Sequence, residues 1–440
     1  AAEAAALAGC PAVTRLEVVI EPTGPAWLPI AVFFCARGHQ VFRVSSQKAA
    51  DLRRFLSRHA KSNGIDADTL ARLPLFDPAG LRPLQLPGAE RAALDRRVRA
   101  TDRLTRAGAE HKRRIKDLTR QLLPMSPLSG DLGAADLAVL ERYADPRALA
   151  RAGQARLATL IAEASRNHQG AGRARQWLDA AQASLELYAD HPAIDFTGLA
   201  AEIATEVRLL RAIQAELAAH AAERETRYRQ ADPAGLARTL PGLAEVGGPA
   251  LVACMGDPAR FRTGKHFRSF TGLTPKASET GETDRKGQPM SKAGSSLLRT
   301  TLVRAADNAR RQDPQLARIY HQQMTERGKD HLGALCVVAA TLAERAWVVM
   351  HRGTPYVVRD VDGHPVERDE AKAIIAERFT VPPEVRARRR SKKLGKAPQK
   401  VLAGQSKPRT RGAGERGDLP RPASSPGRNG EVKELVGAGT

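Results

Sequence analysis

The sequence predicts an α/β unit followed by an all-α remainder. Near the start, a β-branched run, an apolar helical run and a second β-branched run succeed one another. From residue 90 to 232 the composition shifts to Arg, Ala, Leu and Glu, with apolar residues at helical spacing. After residue 240, glycine turns alternate with short apolar stretches opened by Ser or Asp, the punctuation of successive helices.

In chain order, residues 16–20 read as a strand closed by the turn Glu21-Pro22-Thr23-Gly24. Residues 27–37 form an apolar helix stopped by Gly38, and residues 41–44 a second strand. Two such strands run parallel across a right-handed connection. Glu21 then stands at a carboxyl strand end, where open α/β sheets take ligands. A helix over 47–60 leads into Lys61-Ser62-Asn63-Gly64-Ile65-Asp66-Ala67-Asp68, where Asp66 opens another short helix. Glu21 and Asp66 together offer the hard oxygens that Mg²⁺ takes; singly, they equally serve as a turn residue and a helix cap.

Residues 90–123 make one long helix with a narrow apolar stripe, broken at Gly108 and His111, which suits a coiled-coil hairpin or dimer seam. Helices over 137–143, 146–165, 173–188 and 197–230 follow. Leu240 to Ala250 (LPGLAEVGGPA) resembles a helix-hairpin-helix turn, in which backbone N–H groups meet a DNA phosphate. Gly242 and Gly247 would make that contact, or would simply let helices approach. Phe261, Phe267 and Phe270 gather into a small local core. Residues 295–311, 314–328 and 330–350 are helices, the last buried with His331 and Cys336 inside it, and 356–366 is a hairpin with an Asp-Gly turn. From residue 386 the chain is basic and rich in Pro and Gly, the composition of a disordered tail.

A net charge of +22 points to a polyanionic partner, nucleic acid before membrane, and no apolar run appears long enough to span a bilayer. Cys10, Cys35, Cys254 and Cys336 stand far apart without a CxxC spacing, so neither a zinc site nor a disulfide framework is indicated. Residues 267–299 concentrate the chemistry. Arg285, Lys286, Lys292 and Arg299 flank a loop rich in glycine and hydroxyls, with Ser278, Thr280, Thr283 and Ser291 as candidate oxygen nucleophiles on a phosphodiester.

The order of these segments resembles the DEDD-type insertion-sequence transposases of the IS110 family. The likeness rests on Glu21-Pro22-Thr23-Gly24, the KSNGIDADTLA stretch from Lys61, the Pro241 turn, GLTP at Gly272 to Pro275, and the downstream Lys-Gly and SKAG segments. It covers nearly all of the chain up to about residue 380. The resemblance implies a RuvC-like (RNase H-like) domain over 1–89 lacking its first strand, and a helical coiled-coil segment over 90–232. A transposase domain over 233–380 and a basic tail over 381–440 complete the expected organisation. It further implies a Mg²⁺-binding acidic site and a hydroxyl that attacks DNA to form a covalent protein–DNA ester, reversed during strand exchange. DNA ends and target, a bridge-type noncoding RNA and a homodimer or homotetramer with composite active sites are the implied partners. The implied location is the bacterial cytoplasm at the nucleoid, without a membrane.

Residue by residue, Glu21 matches the family's strand-end glutamate, Asp66 its last aspartate, and Asn63 the position where many members carry the third acid. The family's first aspartate belongs on a strand that would precede Ala1. Thr280, before Gly281, stands where the motif has serine; it keeps the hydroxyl and adds a methyl. Ser278 is the alternative nucleophile. Lys286, Lys292 and Arg299 would then orient phosphates. Two other readings stay open: an inactive nucleic-acid-binding remnant, and a RuvC-like junction nuclease with no covalent step.

Overall fold

Parallel strands need a crossover to pair, and the first apolar helix supplies it. In the computed structural model, which describes residues 9, 14–21, 24, 26–56, 62–128, 130–189, 191–276, 279–280, 283–284 and 288–394, β1 (Glu17–Ile20) and β2 (Gln40–Arg43) lie parallel. Val18 stands opposite Val41 and Val19 opposite Phe42. The connection is α1 (Trp27–Ala36). Leu84 N–H donates to the Val41 carbonyl (2.6 Å) and Pro83 bridges Phe42, so an extended segment lies antiparallel along β2. This unit is poor in core. α1 buries only Ala31 and leaves Leu28, Ile30, Val32 and Phe33 exposed.

The next helices are α2 (Ser46–Leu56) and α3 (Asn63–Phe76), packed on each other, with α3 also against β1. Ser62, not Asp66, caps α3: its Oγ accepts from Ile65 N–H at 3.2 Å. Asp66 lies in the first turn, where the helix dipole favours a carboxylate.

The long helix is α4 (Ala89–Leu122). After α5 (Ala134–Tyr143), α6 (Pro146–Ala164) and α7 (Ala171–Tyr188), its partner α8 (Phe196–Ala231) runs back along it. Contacts of Glu90 with Arg227, Arg97 with Glu223 and His111 with Glu206 make the pair antiparallel. Gly108 and His111 do not break the seam as expected but belong to it. Gly108 faces Leu210 and Ile213, and His111 Nδ1 meets the buried Glu206 at 2.5 Å. One core, around Ile115, Leu140, Ile161, Trp177 and Val207, unites α4 to α8 at one end of the pair. At the other end Leu94, Val98 and Tyr228 enter a second core.

That second core is built by α9 (Leu236–Thr239), α10 (Gly247–Met255), α11 (Gly264–Thr271), α12 (Ser296–Ala309), α13 (Pro314–Thr325) and α14 (His331–Arg352). α14 is its hub, touching α9, α11, α12 and α13. Contrary to the sequence expectation, α14 is long and apolar enough to cross a membrane, yet Val338, Leu342 and Ala346 are fully buried in this core. His331, expected inside, is half exposed at the first turn of α14, where Tyr320 Oη meets its Nδ1 at 2.8 Å. The phenylalanines cluster as expected, with Phe261 edge-on to Phe267 at 5.1 Å. Asp313 caps α13 through Leu316 N–H and, fully buried, also takes Arg345 and the Tyr356 hydroxyl. Residues 356–366 form a turn closed by Asp360 and His364 rather than a full ladder. α15 (Arg368–Arg378) and α16 (Pro383–Leu394) follow, and α16 carries helix past residue 386, into the stretch expected to be disordered. Residues after 394 lie outside those described.

One ion pair here has a pH signature. Arg238 holds both oxygens of Glu225, one at 3.0 Å, and draws its carboxyl from 4.5 down to about 2. A depressed acid contributes stability above its ordinary value and loses it as pH falls through the folded value. The thermal midpoint is therefore expected to fall between pH 4.5 and about 2. An Arg238→Gln variant should fall less steeply in that window; equal slopes would remove the pair as the cause.

Candidate active site

Carboxylates and a hydroxyl reach a phosphodiester only if the fold carries them outward from rigid elements. Glu21 directly follows the last residue of β1, at the carboxyl end of the strand. Asp66 comes from the first turn of α3, the helix packed on that strand. Its Oδ1 accepts from Arg53 Nη1 at 2.8 Å, so a guanidinium stands where a cation would sit. Asn63 is the first residue of α3 and exposed, while Asp68 pairs with Arg72 at 2.9 Å, facing its own helix. Among the described residues no three His, Cys, Asp or Glu side chains converge as a ligand set. Glu21 at the end of β1 and Asp66 and Asn63 in the first turn of α3 are oxygen donors carried by two elements that pack together. That donor set suits an ion such as Mg²⁺, which completes its shell with water and phosphate rather than with a protein cage.

The hydroxyl side is a hairpin. GLTP pairs antiparallel with the segment leading into SKAG: Ser291 N–H donates to the Thr274 carbonyl (2.9 Å), Lys276 N–H to Pro289 (3.0 Å), and Pro275 bridges Met290. The base is locked by close backbone approach. A Cβ at Gly272 would stand 2.2 Å from the Ala293 carbonyl oxygen, and one at Gly294 would stand 2.0 Å from that of Phe270. Arg299, expected on phosphate, spends Nη1 on the Thr271 and Lys292 carbonyls at 3.2 and 3.1 Å. Lys292 is exposed, in the left-handed region at φ 55°. Beyond the base, β3 (Glu279–Thr280) and β4 (Thr283–Asp284) pair antiparallel, with Thr280 opposite Thr283. Thr280 thus belongs to the outer end of the hairpin; for it only the backbone is described. Ser278, Arg285 and Lys286 lie outside the described residues.

At the glycine turn the sequence left two uses open, and the glycines face protein. A Cβ on Gly242 would lie 2.3 Å from the Ala305 carbonyl oxygen of α12, and one on Gly247 would lie 2.8 Å from Leu243 Cδ2. The outer apex, Ala244 to Val246, is exposed and leads straight into α10, whose cap residue Val246 makes no side-chain bond. Arg53 carried no signal in the sequence, because its role depends on α2 and α3 lying side by side.

Two family models match: one described as "Transposase IS116/IS110/IS902 family" over residues 234–322, the other a DEDD-type IS110 model described as "Transposase" over 4–124. The chain is 26% identical over 361 residues to the "Insertion element IS110 uncharacterized 43.6 kDa protein" of Streptomyces coelicolor, covering 79% of this chain and 84% of that one. It is 30% identical over 148 residues to the "Transposase for insertion sequence element IS1328" of Yersinia enterocolitica, covering 33% and 41%. A "Pilin gene-inverting protein" of Moraxella lacunata shares 24% identity over 132 residues, 30% of this chain and 40% of that one.

Proposed function

Because the chain belongs to the IS110 family of insertion-sequence transposases, we propose that it cuts and rejoins DNA with Thr280 as nucleophile and Glu21 and Asp66 as the acidic site. The observation that carries this is the hairpin, a long arm anchored by Gly272 and Gly294 that holds Thr280 at its outer end.

In the proposed step, Thr280 Oγ attacks the phosphorus of a phosphodiester. A P–O bond forms to threonine, the P–O bond to one deoxyribose oxygen breaks, and the proton lost by Thr280 is balanced by one gained at the leaving hydroxyl. A deoxyribose hydroxyl of the exchanged strand then reverses the attack and frees Thr280. Glu21 and Asp66, with Asn63 alongside, would hold a divalent metal, taken here as Mg²⁺, which supplies Lewis-acid stabilisation of phosphoryl charge when bound. Lys292 and the basic residues Arg285, Lys286 and Arg299 steer phosphate toward the hairpin. The turn at Gly242 and Gly247 rests on the duplex backbone through the N–H groups of its exposed apex.

On this reading residues 1–89 are a RuvC-like nuclease domain, 90–232 a coiled-coil segment, 233–380 the transposase domain and 381–440 a basic tail. A bridge-type RNA selects the DNA, and a dimer or tetramer in the bacterial cytoplasm, nucleoid-associated, assembles the site from more than one copy. The test is incubation of the full chain with labelled DNA carrying the element ends, its RNA and Mg²⁺. Detergent-stable, protease-sensitive protein–DNA adducts that vanish with a chelator are expected. DNA binding without adducts would favour the inactive remnant, and chelator-sensitive cleavage without adducts the junction nuclease.

A further inference from the structure

At the carboxyl end of the sheet, where Arg43 stands opposite Ile20, arginines from three distant segments converge. Arg43 ends β2, Arg91 and Arg99 lie on α4, and Arg260 lies in the short 3-10 turn Pro258–Arg260 after α10. α10 packs on α4, which brings Arg99 and Arg260 near Cys254, while Arg43 feels the positive charge of Arg99, and Arg260 that of Arg43 and Arg91. Arg99 has a partner, Asp95 at 2.8 Å. Arg43, Arg91 and Arg260 have no carboxylate partner among the described residues. Burial and mutual repulsion push Arg43 and Arg260 below the ordinary arginine value.

The cluster is held from behind by rings. Arg43 stacks on Trp27 at 4.5 Å, and Arg260 on Phe261 at 4.6 Å and Phe270 at 4.7 Å, while Arg260 Nη2 also reaches the Cys254 carbonyl at 3.3 Å. A stacked guanidinium has its face covered while its edge carries the N–H donors that match a phosphate; Arg260 spends one of its five on the Cys254 carbonyl. Like charges gathered and braced this way raise the energy of the empty protein, a cost that an arriving polyanion offsets. Asp95 near Arg43 and Asp257 near Arg260 pull the other way without offsetting burial and repulsion, so the cluster is only partly neutralised from within.

We propose that Arg43, Arg91, Arg99 and Arg260 form a seat for the phosphodiester backbone of a nucleic-acid strand, where the N-terminal sheet meets the C-terminal core. The seat rests on the nucleic-acid reading of the chain but not on the identity of the nucleophile. It binds backbone, not base, and so contributes affinity without sequence preference.

The experiment is a salt titration of the full chain's affinity for two probes, a mixed-sequence duplex DNA and a single-stranded RNA of equal length. In an Arg43→Gln, Arg260→Gln double variant the slope of log affinity against log salt is expected to fall. Each lost phosphate contact should remove about 0.9 on duplex DNA or about 0.7 on a single strand. The probe whose slope falls identifies the strand that occupies the seat. An Arg156→Gln, Arg175→Gln variant removes the same charge from exposed positions on α6 and α7 and should leave the slope nearly unchanged. Unchanged slopes on both probes, or an equal fall in that control, would overturn the seat. If the double variant fails to fold, Arg91→Gln, which loses no stack or ion pair, reads the same slope. Thr280→Ala should leave the slope intact, so a failed adduct assay and a failed seat are separate results.

Discussion

Replacing Thr280 by alanine is expected to abolish protein–DNA adducts while DNA affinity and thermal midpoint stay at the level of the unaltered chain. The change removes one hydroxyl from the outer end of a hairpin whose base is held by backbone bonds between residues 272–276 and 289–292, so the fold has little to lose. The chemistry has nearly everything to lose: removing the nucleophile of a serine hydrolase costs on the order of 10⁶-fold in kcat. Thr280→Ser should restore adducts, since it keeps the attacking oxygen and relieves the crowding of the methyl. Adducts that persist in Thr280→Ala but vanish in Ser278→Ala would move the nucleophile two residues; adducts that survive both changes would sink the assignment. Cleavage lost only in Glu21→Ala, with no adduct in any variant, would belong to a nuclease instead.

The largest effect on folding is expected at Gly242→Ala. Gly242 has φ +80°, and an added Cβ would lie 2.3 Å from the carbonyl oxygen of Ala305, against backbone rather than a yielding side-chain tip. Ala305 cannot retreat, because α12 is packed on α14 in the second core. Left-handed strain of about 1–3 kcal/mol adds to an overlap of similar size, so a loss of about 3–5 kcal/mol is expected, large against a typical stability of about 5–15 kcal/mol. Gly256 provides the comparison, with φ +66° and nothing within 4 Å of its missing Cβ. Gly256→Ala should cost only the strain. Equal melting points for the two variants would show that the close approach at Gly242 is not what fixes the turn.

Elements set by local chemistry were legible in the sequence. Asp313 before Pro314 announces a helix start by itself, and the alternation of β-branched and apolar runs around Trp27 is enough to place β1, α1 and β2. Errors arose where a neighbouring element decides. Ser62 outcompetes Asp66 as the cap because its side chain reaches Ile65 N–H, which leaves Asp66 free for Arg53 on the adjacent helix. His331 looked apolar by position on α14, yet it sits in the first turn beside Tyr320, where the core has already ended. The strand end before Glu21 and the helix start near Asp66 were readable as separate local features. The use of Arg299 on two carbonyls was not, because it depends on the path of the chain from Thr271 to Lys292.

Leu94, Val98 and Tyr228 anchor one end of the α4–α8 pair in the second core, while Ile115, Leu122 and Ile203 anchor the other end in the first. Between Val98 and Ile115 the pair spans about 25 Å at 1.5 Å per residue, through a stretch of ion pairs and small side chains such as Thr101 and Gly108. That stretch behaves as a spacer of set length. Matched insertions of whole turns in both helices would lengthen it and leave each lobe intact, whereas an insertion in one helix alone would throw the lobes out of phase, so evolution can change the reach of such an arm only two helices at a time.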